Sequence, residues 1–431
     1  MGNKLSFILS RGPAYTRAMD HATPARFLAA HETTALAPLL PRAAPRDACA
    51  VRLHRQLPPP RAGLRISVII PAKDEVANLP ATLAALAAQT DLAGQPLPVD
   101  SYEVIVLANN CLDDTAGLVR RHARQFPWLV LHVAELCLPG EYAHVGRARR
   151  LLMDEACARL EWVGQPTGII ASTDADTRVA PTWLAAIQAE ITAGADAVGG
   201  RILTEAEELA QAGLSALQRL QARDAAYRLL CARLEDLLDP AAADPWPRHH
   251  QHFGASLALT AQAYRRVGGL PEVRFLEDEA LCQQLRRHDL TLRHSPHVRV
   301  LTSARRDGRV EVGLSWQLRE WLRLSQQQRE PLVDNPVQLA RQWQLRRQLR
   351  ACWANAPGAE TDAVLTRLGL PAAEVLAQMS ACATFGQLWE WMLAHSPSLR
   401  LSSVPLCEAL LVLPRLIRTN AAASGRAAGA A

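Results

Sequence analysis

From residue 65 onward, short apolar runs alternate with segments of helical spacing. The runs are "RISVIIPA" (65–72), "YEVIVLA" (102–108), "WLVLHVAE" (128–135), "GIIAST" (168–173) and "ADAVGGRI" (195–202), each of strand length. Between them lie "NLPATLAALAAQT", "DTAGLVRRHARQF", "RARRLLMDEACARL" and "APTWLAAIQAEITAG", whose apolar residues recur at every third or fourth position. A continuous apolar run suits a strand buried on both faces, and its alternation with helices predicts βαβ units in a mainly parallel α/β sheet. Residues 205 to 239 predict one long Ala/Leu/Arg helix, and "RHHQHFGASLALT" with "YRRVGGLPEVRFLEDEALCQQLRR" returns to strand, loop and helix. From about 316 to 420 the spacing is helical throughout, and "AAASGRAAGAA" is expected to be a disordered tail.

Three domains follow from this pattern: an N-terminal extension (1–64) ending in the stiff linker "HRQLPPPRAG", an α/β domain (65–315), and a helical C-terminal region (316–431). A chain of 431 residues with 49% hydrophobic content can bury such cores. The net charge of +5 is spread along the chain without a dense Lys/Arg block among aromatics, which argues against nucleic acid as a partner. Only Lys4 and Lys73 are lysines among the 47 basic residues, and with so much alanine the composition is that of a GC-rich bacterial genome. Nine scattered cysteines without a C-x-x-C pair fit neither a disulfide framework nor a zinc site, so a reducing cytoplasm is expected. No apolar run reaches the roughly 18 residues of a membrane span, and the start is too short in its apolar core for a signal peptide.

The candidate chemistry sits where the strands end. In open α/β sheets ligands bind beyond the carboxyl ends of the strands, and "PAKDE", "ANNCLDD" and "TDADT" all fall there. In an extended chain Asp174 and Asp176, two residues apart, would share a face and repel, so a divalent cation between them is expected; the alternative is a polar loop. Arg305, Arg306 and Arg309 in "TSARRDGRVEVG" could clamp a diphosphate, since guanidinium forks suit phosphate oxygens; the alternative is a solvated basic turn. "RHHQH" (248–252) reads either as a simple surface loop or as a source of a third metal ligand. The tryptophans after residue 315 are expected in a core, or in a helical lid over an acceptor.

"SVIIPAKDEVANLPATLAAL", "TDADT" and "GGLPEVRFLEDEALCQQLRR", in that order, resemble the family 2 glycosyltransferases over roughly residues 65 to 310. The resemblance implies a GT-A fold, a nucleotide-diphospho-sugar transferase core with a Rossmann-like mixed sheet, and usually an inverting reaction. It implies that Pro71, Ala72, Asp74 and Glu75 line the nucleoside pocket and that Asp174 and Asp176 form a D-x-D motif holding Mg²⁺ or Mn²⁺. Asp278 matches the general base, with Glu277 beside it, and Arg149 lies in "VGRARR", where the family keeps a helix near the donor sugar and diphosphate. After the second strand this sequence keeps Asp113 but has Asn109 where the family carries an aspartate, so UDP-sugar is only the family default.

The expected partners are a nucleotide-sugar donor and a hydroxyl acceptor, whether small metabolite, lipid-linked intermediate or glycan. Without membrane helices or "QxxRW", transfer of a single sugar is expected rather than processive synthesis. A phosphatase with D-x-D-x-[TV] does not fit, because Arg178 stands at the last place and three strands come first. A related nucleotidyltransferase would need glycine in "PAKDEVANL". An inactive scaffold of the same fold is the non-enzyme alternative, against which Asp174, Asp176 and Asp278 stand intact.

Overall fold

The computed structural model describes residues 53–204, 215–303, 314–354 and 359–428. Strands β1 (Ile66–Ala72), β2 (Tyr102–Asn109), β3 (Val130–Leu136) and β4 (Ile169–Ser172) alternate with α1 (Leu79–Ala87), α2 (Thr115–Gln125) and α3 (Val145–Trp162). Then follow β5 (Thr177–Val179), α4 (Trp183–Thr192), β6 (Ala197–Thr204), α5 (Ser215–Leu238), β7 (Leu257–Thr260), α6 (Ala261–Arg266), α7 (Glu277–Arg287) and β8 (Leu292–Thr302). They form one eight-stranded sheet in the order β3-β2-β1-β4-β7-β6-β8-β5.

The sheet is mixed. β3, β2, β1 and β4 are parallel, β7 runs against both β4 and β6, β8 is parallel to β6, and β5 runs against β8. The mainly parallel expectation therefore holds for the first half and fails at β5 and β7. β5, 3 residues long, follows β4 after a turn of four residues, and β7, 4 residues long, follows the long helix α5; each enters the sheet from the opposite end to the strands beside it. With β7 reversed between them, β6 and β8 again point the same way as β1, β2 and β4. With β3, six strand ends thus open onto one edge.

Alternation along the strands divides the core in two. Ile69, Ile105 and Leu107 face α3, α6 and α7, whereas Val68, Ile70, Val104 and Val106 face α1 and α4. On the first face Leu53, Leu57 and Leu64 are buried, and Arg159 donates to Pro58 O at 2.7 Å. The segment 53–64, expected as a linker, is packed onto the domain because its leucines find that apolar face.

The C-terminal helices are α8 (Leu314–Gln326), α9 (Pro336–Ala354), α10 (Ala359–Leu368), α11 (Ala372–Ala381), α12 (Phe385–His395) and α13 (Leu406–Ala428), with a small hairpin of β9 (Leu332–Asp334) and β10 (Ser403–Pro405). α13 runs into the stretch expected to be disordered, as an alanine-rich segment of high helix propensity can. Trp321, Trp343, Leu406 and Leu413 share a core with Leu217, Tyr227 and Leu234 of α5. α12 docks on the end of α7: Asp289 accepts from Phe385 N and Gly386 N, each at 2.8 Å. The backbones meet so closely that a Cβ on Gly386 would collide with Arg286 O.

Candidate active site

A cavity of about 770 Å³ opens at the edge where the strands end. Pro71 and Ala72 of β1, Asn109 of β2, Asp174 and Asp176 after β4, Thr204 of β6 and Thr302 of β8 all line it, together with Glu75, Arg149, Glu277 and Asp278. All of these but Thr204 and Thr302 are expected site residues, which the fold brings together at the cavity. Asp74 and Asp113 are not among its lining residues, and Arg305, Arg306 and Arg309 lie outside the described residues.

Asp174 and Asp176 reach the cavity by a turn rather than by an extended chain. Thr177 N donates to Asp174 O at 3.2 Å, so the chain bends between the two carboxylates before β5 begins. The alternation expected of a strand does not apply there, because hydrogen bonding of the turn has replaced that of the sheet. Burial raises the Asp174 carboxyl above its ordinary value; Asp278 and Glu75 add to the rise, and Arg149 opposes it. Several carboxylates thus crowd one wall, with the Arg149 guanidinium against them.

That guanidinium is the centre of the cluster. Arg149 is 4% exposed; it donates to Asp174 Oδ1 at 2.7 Å and pairs with Glu277, which is also buried. The neighbouring backbone leaves room for it, since a Cβ at Gly254 would sit on the guanidinium. Gly146, on the same helix α3, is close-packed as well: a Cβ there would meet Val273 O. Glu277 is therefore bonded to Arg149 and faces it across the cavity wall.

Asp278 lies in the first turn of α7, where the helix dipole favours a carboxylate. Its Oδ2 accepts from Gly254 N and its Oδ1 from Glu279 N, each at 2.8 Å. Two backbone donors so hold the carboxylate in one orientation. Leu276 just before it has φ of 57°, an uncommon conformation for a branched side chain, and this left-handed residue turns the chain into α7. Glu279 points the other way, to His252 at 2.6 Å.

Asp74 and Asp113 bind the first two strand ends to each other. Asp74 Oδ1 accepts from Leu112 N at 2.5 Å, and Asp113 accepts from Val76 N at 3.1 Å and Thr115 N at 3.0 Å. Together with Cys111 they are the one group of three metal-type side chains close together among the described residues. Backbone donors already occupy these carboxylate oxygens. Asn109, buried at the end of β2, has no partner for Oδ1 and lines the cavity.

The histidines of "RHHQH" are not a surface loop. His249 and His252 are 3% and 7% exposed. His252 links Glu279 to His294 (3.3 Å), and His294 reaches Asp244 at 2.8 Å. Arg248 joins Asp244 to Glu235, and Arg346 of α9 joins Glu235 to Asp239. The chain of charges runs from the site helix into the C-terminal region. Burial keeps His249, His250 and His294 below the ordinary histidine value. His252 and His249 are thus engaged in structure, and His250 alone of the three in this loop lines the cavity.

Residues the sequence analysis did not single out complete the lining: Gln221, Asp224 and Arg228 of α5, and Gln317 of α8, with Trp321 buried beside it. The available signal was the i, i+3, i+7 spacing of polar residues in a long helix, which marks one face but not what that face meets.

Several solved structures are similar at low identity. The mannosyltransferase PcManGT from Pyrobaculum calidifontis, in complex with GDP-Man and Mn²⁺, is 18% identical, with 81% of this chain and 86% of that chain covered and a TM-score of 0.39. S. aureus TarS 1–349 in complex with UDP-GlcNAc is 15% identical (76% and 89% covered, TM-score 0.38), and GalNAc-T7 with UDP, GalNAc and Mn²⁺ is 11% identical (78% and 58% covered, TM-score 0.40). No curated protein matches. Residues 67–230, which span β1 to β6 and the D-x-D turn, match the family model described as glycosyl transferase family 2. The segment 67–230, with its part of the mixed sheet and the strand ends that open on the cavity, is thus similar to the family 2 glycosyltransferases.

Proposed function

We propose that the protein transfers a single sugar from a nucleoside-diphosphate sugar to an acceptor hydroxyl, with inversion at the anomeric carbon. The observation that carries the reading is the convergence of Asn109, Asp174, Asp176 and Asp278 on one cavity at the strand ends. Pro71, Ala72, Glu75 and Asn109 would line the nucleoside side. Asn109 Oδ1, buried and unpartnered, is an acceptor for a ring N–H of the base, which uracil, thymine and guanine all offer, with UDP as the family default. Asp74 and Asp113 would act there by holding the two loops.

The chemistry of the donor set fits a hard divalent cation. Asp174 and Asp176 offer only carboxylate oxygens to the cavity, and Mg²⁺ or Mn²⁺ is held by one or two carboxylates plus phosphate oxygens and water rather than by a full protein cage. Burial chiefly, and after it the Asp278 and Glu75 carboxylates, raise the Asp174 carboxyl, a cost that a bound cation would offset. When bound, the ion supplies Lewis-acid neutralisation of the leaving diphosphate.

Asp278 would take the proton of the acceptor hydroxyl as its oxygen bonds to the anomeric carbon and the nucleoside diphosphate departs. Its fixed orientation, with both oxygens hydrogen-bonded to backbone N–H groups, supports this role; such a base contributes roughly 10²–10⁴-fold. Arg149 would hold Asp174 and Glu277 in place. The described cysteines are all free, in keeping with a cytoplasmic protein, and no described helix is long and apolar enough to cross a membrane.

Calorimetric titration of UDP, GDP, CDP and dTDP, with and without Mn²⁺, tests the reading. One nucleotide should bind in a metal-dependent manner and lose that dependence in Asp176→Asn. Absence of binding for all four by a folded protein would refute it.

A further inference from the structure

The cavity has a second arm, walled by helices instead of strand ends. Gln221, Asp224 and Arg228 follow one face of α5, and α8, packed on α5, brings Gln317 and Trp321 to the same cavity. His250 lies on the loop that runs to Gly254, whose N–H holds Asp278, so this arm adjoins the carboxylate assigned as base.

Three polar atoms on this wall are buried and have no partner: Asp224 Oδ1, His250 Nδ1 and Trp321 Nε1. Asp224 is 4% and Trp321 3% exposed. Buried polar atoms are nearly always paired, so three orphans around one space mark the place of an absent hydrogen-bonding group. Asp224 can only accept and the indole can only donate. A hydroxyl group does both, and a ring with several hydroxyls can meet both atoms at once. Asp224 Oδ2 is already paired with Arg228 at 2.7 Å, so the charge of that guanidinium is matched within the wall. Burial holds His250 far below the ordinary histidine value, which leaves it uncharged at neutral pH.

We propose that this arm is the acceptor subsite and takes a neutral polyhydroxyl ring, a sugar or cyclitol, with one hydroxyl donating to Asp224 Oδ1 and another accepting from Trp321 Nε1. The assignment as acceptor rests on the glycosyltransferase reading; the binding of a polyol does not.

Saturation-transfer NMR on the full chain tests it, with methyl α-glucopyranoside, methyl α-mannopyranoside and myo-inositol as probes and nucleotide binding measured alongside. At least one probe should bind the wild type. Asp224→Asn, which turns the free acceptor into a donor, and Trp321→Phe, which removes the N–H and keeps an aromatic ring, should each weaken it roughly tenfold while nucleotide binding is unchanged. Silence of all three probes overturns the proposal whether or not nucleotide binds, and so does equal binding by wild type and Trp321→Phe. Should Asp224→Asn unfold through its pair with Arg228, Trp321→Phe alone decides. Polyol binding without any nucleotide binding would sink the donor reading and leave the polyol site standing.

Discussion

Replacing Arg149 by methionine removes the one cation, among the described residues, that the buried Glu277 touches. Glu277 is 3% exposed and Arg149 4%. Breaking a buried pair from one side leaves the other charge desolvated and unpaired, which costs about 3–5 kcal/mol. The second partner, Asp174, is half-buried, its side chain 37% exposed, and so adds less than the fully buried Glu277. Most of the effect is therefore assigned to Glu277, and it is large against the roughly 5–15 kcal/mol by which domains are stable. Urea unfolding followed by circular dichroism measures it through the midpoint at unchanged slope. The double variant Arg149→Met/Glu277→Gln has no stranded charge and should recover much of the loss, giving a coupling of at least about 2 kcal/mol in a double-mutant cycle. A cost below about 1 kcal/mol for Arg149→Met, or a double variant no more stable than the single, would refute the pairing and with it the central place given to Arg149.

Further outcomes follow from the same contacts. Gly254→Ala would put a methyl group on the Arg149 guanidinium, so thermal melting should show a loss of about 1–3 kcal/mol, accompanied by loss of transfer activity. Asp278→Asn should lower kcat by roughly 10²–10⁴-fold with the nucleotide Kd unchanged, as steady-state kinetics and calorimetry would show. Asp113→Ala should lower the melting temperature yet change nucleotide affinity less than Asn109→Ala, because Asp113 braces the loops and Asn109 lines the cavity. In Glu103, burial works to raise the carboxyl, but Arg159 and His132 outweigh it and hold it at about 2, against an ordinary 4.5. Its contribution, about 3 kcal/mol, is complete above 4.5 and disappears as the pH falls through 2, so unfolding midpoints across that window should fall less steeply in Glu103→Gln. His249, pushed by burial to about 3, binds its proton near 6.5 only when unfolded, so stability should already decline from pH 6.5 downward.

Much of the protein is legible along the chain. The apolar runs and helical spacing placed β1 to β4, β6 and the helices between them, because local hydrophobic period is what decides whether a segment can be buried as strand or helix. The position of "PAKDE", "ANNCLDD" and "TDADT" after such runs was enough to expect one crevice, since parallel strands end on one side of a sheet. β5 and β7 were beyond that logic: three or four residues carry no period, and their direction depends on where the preceding loop leaves them.

The site shows the same division. The spacing of Asp174 and Asp176 suited them to a cation, and the family resemblance added Asp278 as a base. Sequence alone could not say that Asp174 and Asp176 sit in a turn, that Arg149 spans Asp174 and Glu277, or that Asp74 and Asp113 hold loops together. Nor could it tell that His249 and His252 are buried, or that α5 and α8 wall the second arm with Asp224 and Trp321. Element type is settled by neighbours in sequence, whereas these pairings join residues that are far apart along the chain. Which partner a charged side chain finds, and whether water reaches it, is decided only when the layers close on one another.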